Sequence, residues 1–232
     1  MKRIAAVFAI LALASAAVAA DKTAPTRKAA KPARAVADFD KVGEPNLLST
    51  AALVLDANTG ETLFAKNADA IHPIASITKL MTAMVVLDAR QPMEEMLSIS
   101  KEDVDRLKGT YSRLQIGTRQ SRKEMLRLAL MSSENRAASA LGRHYPGGRA
   151  AFVAQMNRKA AALRMSHTHF DDTTGLSSRN LSSAGDLVKM AQAASQYALI
   201  REFTTDLPEV QDVADYVGDS LGLSREAAAT DA

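Results

Sequence analysis

The chain has 232 residues, enough for one sizeable domain, and its formal net charge is +3. Apolar content of 47% and charged content of 24% are ordinary for a globular protein, while 4% aromatic residues and no tryptophan require a core of Leu, Val, Ile, Met and Ala. The absence of cysteine excludes disulfides, cysteine-ligated zinc and thiol catalysis outright.

Lys2 and Arg3 precede an apolar stretch from Ile4 to Leu13 and then the small residues Ala17-Val18-Ala19-Ala20. That order of charge, short hydrophobic run and small-residue site reads as a signal peptide over 1–20, and hence export to the periplasm. The run is short for a spanning helix, and no second hydrophobic span follows, so no stable membrane span is expected after cleavage. Residues 21–46 open with Lys22, Arg27, Lys28, Lys31 and Arg34 against Asp21, a composition that reads as a solvated basic linker. The rival reading is weak adhesion to anionic cell-wall polymer or lipid.

From residue 47 the pattern becomes that of a folded domain extending to about 205. Residues 51–55 predict a buried strand, 56–60 a turn, and 61–65 the hairpin partner. A helix follows over about 76–89. Residues 97–100 and 113–116 read as short strands or extended segments. Helices are expected over about 121–131, 136–144, 149–164 and 183–197, the first with Met125, Leu126, Leu128, Ala129 and Leu130 mostly on one side. A hairpin followed mainly by helices predicts an α/β (α+β) fold, an antiparallel sheet with an inserted helical subdomain. Residues 202–232 hold eight acidic side chains against the single basic Arg225, so 206–232 is expected to be an acidic tail without strand patterning.

Ser76 and Lys79 stand three residues apart where the first apolar helix begins. Positions i and i+3 share a helical face, so the Lys79 amine can reach the Ser76 hydroxyl. A serine needs a neighbouring base to become a nucleophile, and a lysine kept largely uncharged by burial can be that base. The helix start also offers N–H groups and partial positive charge to a developing oxyanion. On spacing alone, Ser76 could instead cap the helix and Lys79 lie on its solvated face. Ser133 and Asn135 follow the next helix, and in an extended turn both side chains would face one cleft; a plain helix-end turn uses the same residue types. Residues 170–176 and 180–186 read as structural, with Ser182 or Ser183 capping a helix supported by Asp186. His167 and His169 lack partners at metal-ligand spacing, so neither metal nor cofactor is expected. The scattered methionines read as core filler. Neither a glycine-rich phosphate loop nor basic–aromatic interleaving for nucleic acid occurs.

Three motifs in order, Pro73-Ile74-Ala75-Ser76-Ile77-Thr78-Lys79-Leu80-Met81-Thr82-Ala83, Met131-Ser132-Ser133-Glu134-Asn135-Arg136-Ala137-Ala138, and Phe170-Asp171-Asp172-Thr173-Thr174-Gly175-Leu176 with Asn180-Leu181-Ser182, give a resemblance. The chain resembles the serine DD-peptidases among the low-molecular-mass penicillin-binding proteins, in their D-alanyl-D-alanine endopeptidase and carboxypeptidase branch. The resemblance implies a β-lactamase/transpeptidase-like fold, peptidoglycan peptides as substrate and β-lactam antibiotics as acylating inhibitors. It also implies Ser76 as nucleophile, Lys79 as base, Ser133 as proton relay to the leaving amine, and Asn135 as the group that holds substrate and orients Lys79.

Family members carry a third cleft motif, Lys-Thr-Gly, on a strand near the carboxyl end, whose vicinity supplies a second oxyanion donor. No lysine follows Lys189 here, and Thr174-Gly175 lies upstream of a helix. Losing one such donor costs about 10²–10³ in rate, so an inactive or severely impaired chain with an incomplete sheet is expected. A degenerate peptidoglycan-binding paralogue without activity is the alternative. A class A-type β-lactamase shares the Ser-x-x-Lys and Ser-x-Asn pattern but lacks here a downstream glutamate motif for deacylation.

Overall fold

The computed structural model describes residues 47–205; the segments read as signal peptide, basic linker and acidic tail lie outside the described residues. The first element is the hairpin β1 (Ala52–Leu55) and β2 (Thr62–Lys66), paired antiparallel with an irregularity between Val54 and Leu55. Its turn is tied by the Asp56 carboxylate, which accepts from the N–H groups of Asn58 and Thr59 at 2.8 Å each. Those N–H groups hold the Asp56 carboxyl below its usual range. Two further antiparallel pieces follow, β3 (His72–Pro73) with β6 (Leu181–Ser182), and β4 (Met96–Ser98) with β5 (Arg119–Ser121).

The α-helices among the described residues are α1 (Thr78–Asp88), α2 (Arg122–Met131), α3 (Asn135–Arg143), α4 (Gly148–Ala162), α5 (Ala184–Ala194) and α6 (Ala198–Thr205). Helix α1 is apolar on nearly every side: Met81, Ala83, Met84, Val85 and Val86 are all buried. Such a helix must be surrounded, and α2, α3, α4, α5 and α6 all pack against it. Phe152, Met156, Met125, Leu126, Leu141, Phe170 and Phe203 complete the core, with Tyr145 edge-on to Phe152. Helix starts follow cap chemistry. Ser121 accepts from the Glu124 N–H and Ser183 from that of Asp186, so Ser183, not Ser182, is the cap of α5.

The architecture is the expected α+β, with α2, α3 and α4 falling between strands β5 and β6 in the chain. Three details depart from expectation. The described strands form three separate pairs instead of one sheet. Residues 113–116, read as a short strand or extended segment, form no strand but lead into a turn in which the Thr118 N–H donates to the Gln115 carbonyl and Gly117 takes φ +91°; β4 pairs with Arg119–Ser121. Glu202, grouped with the acidic end on composition, lies on α6, which docks through buried Ile200 and Phe203. Among the described residues β1 pairs with β2 alone, and between β1 and α5 lies an apolar hollow of about 180 Å³ lined by Leu53, Leu55, Val188 and Ala191.

Candidate active site

The chain enters α1 through a single 3₁₀ turn, Ala75–Ile77, so Ser76 precedes the α-helix instead of opening it. Neither this turn nor α1 has a side-chain cap, which leaves the Ser76 hydroxyl unused by capping. Ala75 takes the left-handed φ of +45°, a strained conformation for a residue with a Cβ. Two bonds clamp the turn from either side. The Ile74 N–H donates to the Asn180 carbonyl at 3.0 Å, and the Asn180 side-chain amide donates to Thr78 Oγ1 at 3.0 Å. Asn180 is fully buried, and its Oδ1 also accepts from the N–H groups of Asp171 (2.7 Å) and Asp172 (3.0 Å). One side chain thereby joins the nucleophile turn to the 170–176 loop.

Ser76 is exposed, whereas Lys79, one helical turn inward, is only 3% exposed. Its Nζ lies 3.1 Å from Ser76 Oγ, 2.9 Å from Asn135 Oδ1 and 2.7 Å from the Thr174 carbonyl. Burial drives the Lys79 pKa down to about 8, against the opposing pull of the Asp172 and Glu134 carboxylates. On the other side of the nucleophile the Ser133 hydroxyl donates to Ser76 Oγ at 2.8 Å. All four residues singled out from the sequence therefore meet in one place. They do not meet by way of an extended turn: Ser133 sits at φ +55° and Asn135 is already the first residue of α3, with Glu134 as its N-cap.

Residue identities alone do not point to the Thr174 carbonyl. Residues 172–177 fold around the Asp172 carboxylate, whose Oδ1 accepts from the N–H groups of Thr174 (2.7 Å) and Gly175 (2.6 Å) and whose Oδ2 accepts from that of Ser177 (2.7 Å). Thr173 anchors the loop to the helices. Its hydroxyl donates to the Ala138 carbonyl on α3 at 3.0 Å, and its carbonyl accepts from Thr82 on α1 at 2.8 Å. The next carbonyl, that of Thr174, points at Lys79. Gly175, at φ +86°, presses against the nucleophile turn so closely that a Cβ there would lie 1.9 Å from the Ala75 oxygen. The Asp-x-x-Gly spelling at 172–175 signals a tight loop, but the aim of a backbone carbonyl leaves no trace in residue identity.

Among the described residues no group of three His, Cys, Asp or Glu is placed to hold a metal ion, and no helix is long and apolar enough to cross a membrane. A serine beside a lysine whose pKa burial has lowered, with a second hydroxyl on its oxygen, is equipped for acyl transfer.

Comparison with known proteins gives the same direction. A family profile described as D-alanyl-D-alanine carboxypeptidase matches residues 39–215. The chain is 50% identical over 168 residues to a D-alanyl-D-alanine endopeptidase of Pseudomonas aeruginosa, covering 71% of this chain and 54% of that protein. A D-alanyl-D-alanine endopeptidase of Escherichia coli is 49% identical over 162 residues, covering 70% of this chain and 52% of that protein. The chain thus spans about half the length of these relatives. In structure it is similar to the Streptomyces K15 DD-transpeptidase, with a TM-score of 0.63 at 30% identity, covering 68% of this chain and 65% of that one. With its match running over most of the chain, the protein belongs to the D-alanyl-D-alanine carboxypeptidase family.

Proposed function

We propose that this protein is a serine D-alanyl-D-alanine peptidase acting on peptidoglycan peptides through an acyl-enzyme on Ser76. The observation that carries the reading is the hydrogen bonding of Lys79. A neutral amine has two N–H donors and one lone pair. Two of its three neighbours, Asn135 Oδ1 and the Thr174 carbonyl, only accept, so they take both N–H groups and leave the lone pair for the Ser76 hydroxyl. When the amine gains the proton, the same three oxygens accept from the ammonium, and no atom need move.

Ser76 Oγ attacks the carbonyl carbon of the scissile amide while its proton passes to Lys79 Nζ. As the tetrahedral intermediate collapses, the C–N bond breaks and the leaving amine takes a proton from the Ser133 hydroxyl, which stands 2.8 Å from Ser76 Oγ and so beside the reacting carbon; the proton that Lys79 took from Ser76 is returned to the Ser133 oxygen directly, because the acylated Ser76 oxygen has none to pass on. Water then hydrolyses the ester, releasing the shortened peptide. The names of the two relatives near 50% identity favour an endopeptidase over a carboxypeptidase. Export, with removal of residues 1–20, is part of the same proposal, since the substrate is outside the cytoplasm.

A fluorescent penicillin tests this reading: stoichiometric labelling that vanishes in Ser76→Ala is expected. Labelling that persists in Ser76→Ala would remove the nucleophile assignment. A degenerate wall-binding protein would instead pull down peptidoglycan equally well as wild type and as the Ser76→Ala, Lys79→Ala double variant.

A further inference from the structure

Asn135 can serve Lys79 only with its carbonyl, not its NH₂, facing the amine, and nothing about an amide's shape selects that side. The selection comes from the other end of the side chain. Asn135 Nδ2 donates to Thr110 Oγ1 at 3.1 Å, and the Thr110 hydroxyl donates in turn to Asp105 Oδ2 at 2.7 Å. A carboxylate has no proton to give. The Thr110 hydrogen is therefore committed to Asp105, its oxygen is left as an acceptor, and an acceptor admits only the NH₂ end of Asn135.

Resting on the acyl-transfer reading above, we infer that Asp105 and Thr110 are positioning residues that fix the polarity of the Asn135 amide and so aim the Lys79 lone pair at Ser76. The order is Asp105 carboxylate, Thr110 hydroxyl, Asn135 amide, Lys79 amine, each link donating one way. The starting point is secure at neutral pH: burial works to raise the Asp105 pKa, but hydrogen bonds from Thr110, Lys108 and Leu107 outweigh it and hold the carboxyl at about 2. The loop does not depend on the Thr110 hydroxyl for its shape. Backbone N–H groups of Leu107 (2.7 Å), Lys108 (3.0 Å) and Thr110 (2.8 Å) still donate to Asp105 when that hydroxyl is gone.

The test compares Thr110→Val, which keeps the shape and removes the hydroxyl, with Thr110→Ser, which keeps the hydroxyl. Acylation by a fluorescent penicillin is followed from pH 6 to 10 (about two units either side of the Lys79 value). With the amide free to turn, the lone pair is misdirected part of the time, so the limiting rate at high pH falls roughly five- to tenfold in Thr110→Val. Its midpoint also moves to lower pH, because an NH₂ facing the ammonium disfavours the charged form. Thr110→Ser recovers most of the rate and the wild-type midpoint. A lowered rate with an unmoved midpoint, or no recovery in Thr110→Ser, would overturn the assignment as mere loop damage. If wild type and Ser76→Ala label alike, the acyl-transfer reading fails instead. The relay is then decided by titrating the Lys79 amine by NMR in labelled protein: a lower midpoint in Thr110→Val than in wild type supports it, and identical midpoints reject it.

Discussion

Replacing Gly175 by alanine tests whether the nucleophile turn is set by the loop pressed against it. The added Cβ would stand 1.9 Å from the Ala75 oxygen, 2.3 Å from its carbonyl carbon and 3.0 Å from the Ser76 nitrogen, where ordinary contact begins at 3.4 Å. Loop and turn must therefore part by about 1.5 Å, the difference between 3.4 and 1.9 Å. That displacement falls on the segment carrying Ser76 and on the neighbour of the Thr174 carbonyl, so the 3.1 Å Ser76–Lys79 contact is lost. Misplacement of reacting groups by about 1 Å costs on the order of 10² in rate. The left-handed backbone at φ +86° adds about 1–2 kcal/mol of strain. Gly117→Ala is the control. It has φ +91° with nothing within 4 Å of a new Cβ, so it carries the strain without the collision. Time courses of penicillin labelling should show Gly175→Ala slowed about a hundredfold and Gly117→Ala near wild type, with melting temperatures lowered in both. Equal labelling rates for Gly175→Ala and wild type would mean that the turn is held by something other than this contact, and the account of the site would have to change.

Other outcomes follow from the same geometry. Acylation should rise with pH and reach half its limit near 8, because burial lowers the Lys79 pKa to that value and only the uncharged amine accepts the Ser76 proton; a pH-independent rate would refute Lys79 as base. Asn180→Ala strands the half-buried N–H groups of Asp171 and Asp172 and removes the donor to the buried Thr78 hydroxyl, so denaturant unfolding should show a loss of roughly 2–4 kcal/mol; a loss under 1 kcal/mol would deny Asn180 its joining role. Asp103 is a third case. Burial would raise its pKa, but hydrogen bonds from Arg143, the Ser100 N–H and Ser139 outweigh that and keep the carboxyl below its ordinary range. A carboxyl lowered on folding contributes stability above its unfolded pKa, near 3.8, and that contribution is lost as pH falls through the folded value. Asp103→Ala should cost about 3 kcal/mol at neutral pH by uncovering Arg143, and thermal unfolding of the variant should fall less steeply than wild type below about pH 4. Parallel acid profiles would exclude Asp103 as a contributor.

Much of this architecture is legible in the residues. The apolar run after Lys79 could only be a helix enclosed by others, and Ser121 and Ser183 announce the starts of α2 and α5 by their cap chemistry. Residues 113–116 read as a strand because Leu114 and Ile116 alternate with Arg113 and Gln115, while the observed strand Arg119–Ser121 is polar and recognisable only by its register against Met96–Ser98. Helix α6 was hidden by the acidic composition beyond it, although Ile200 and Phe203 supply its buried face. In the site, the spacing of Ser76 and Lys79 becomes telling only beside the other two motifs in order. The left-handed backbone of Ser133 does not show at all, since nothing in a serine announces φ +55°. Backbone groups such as the Thr174 carbonyl, and long-range links such as Thr110 to Asn135, are set by tertiary packing and are invisible to local pattern.

The groups that trigger the reaction all issue from the helical part of the domain: the α1 entry, α1 itself, the approach to α3, its first residue, and a loop strapped to α1 and α3 by Thr173. The β1–β2 hairpin supplies none of them. The readiness of Ser76 to attack is therefore decided by how the helices pack, and substitutions confined to the hairpin should leave the Ser76–Lys79 distance unchanged.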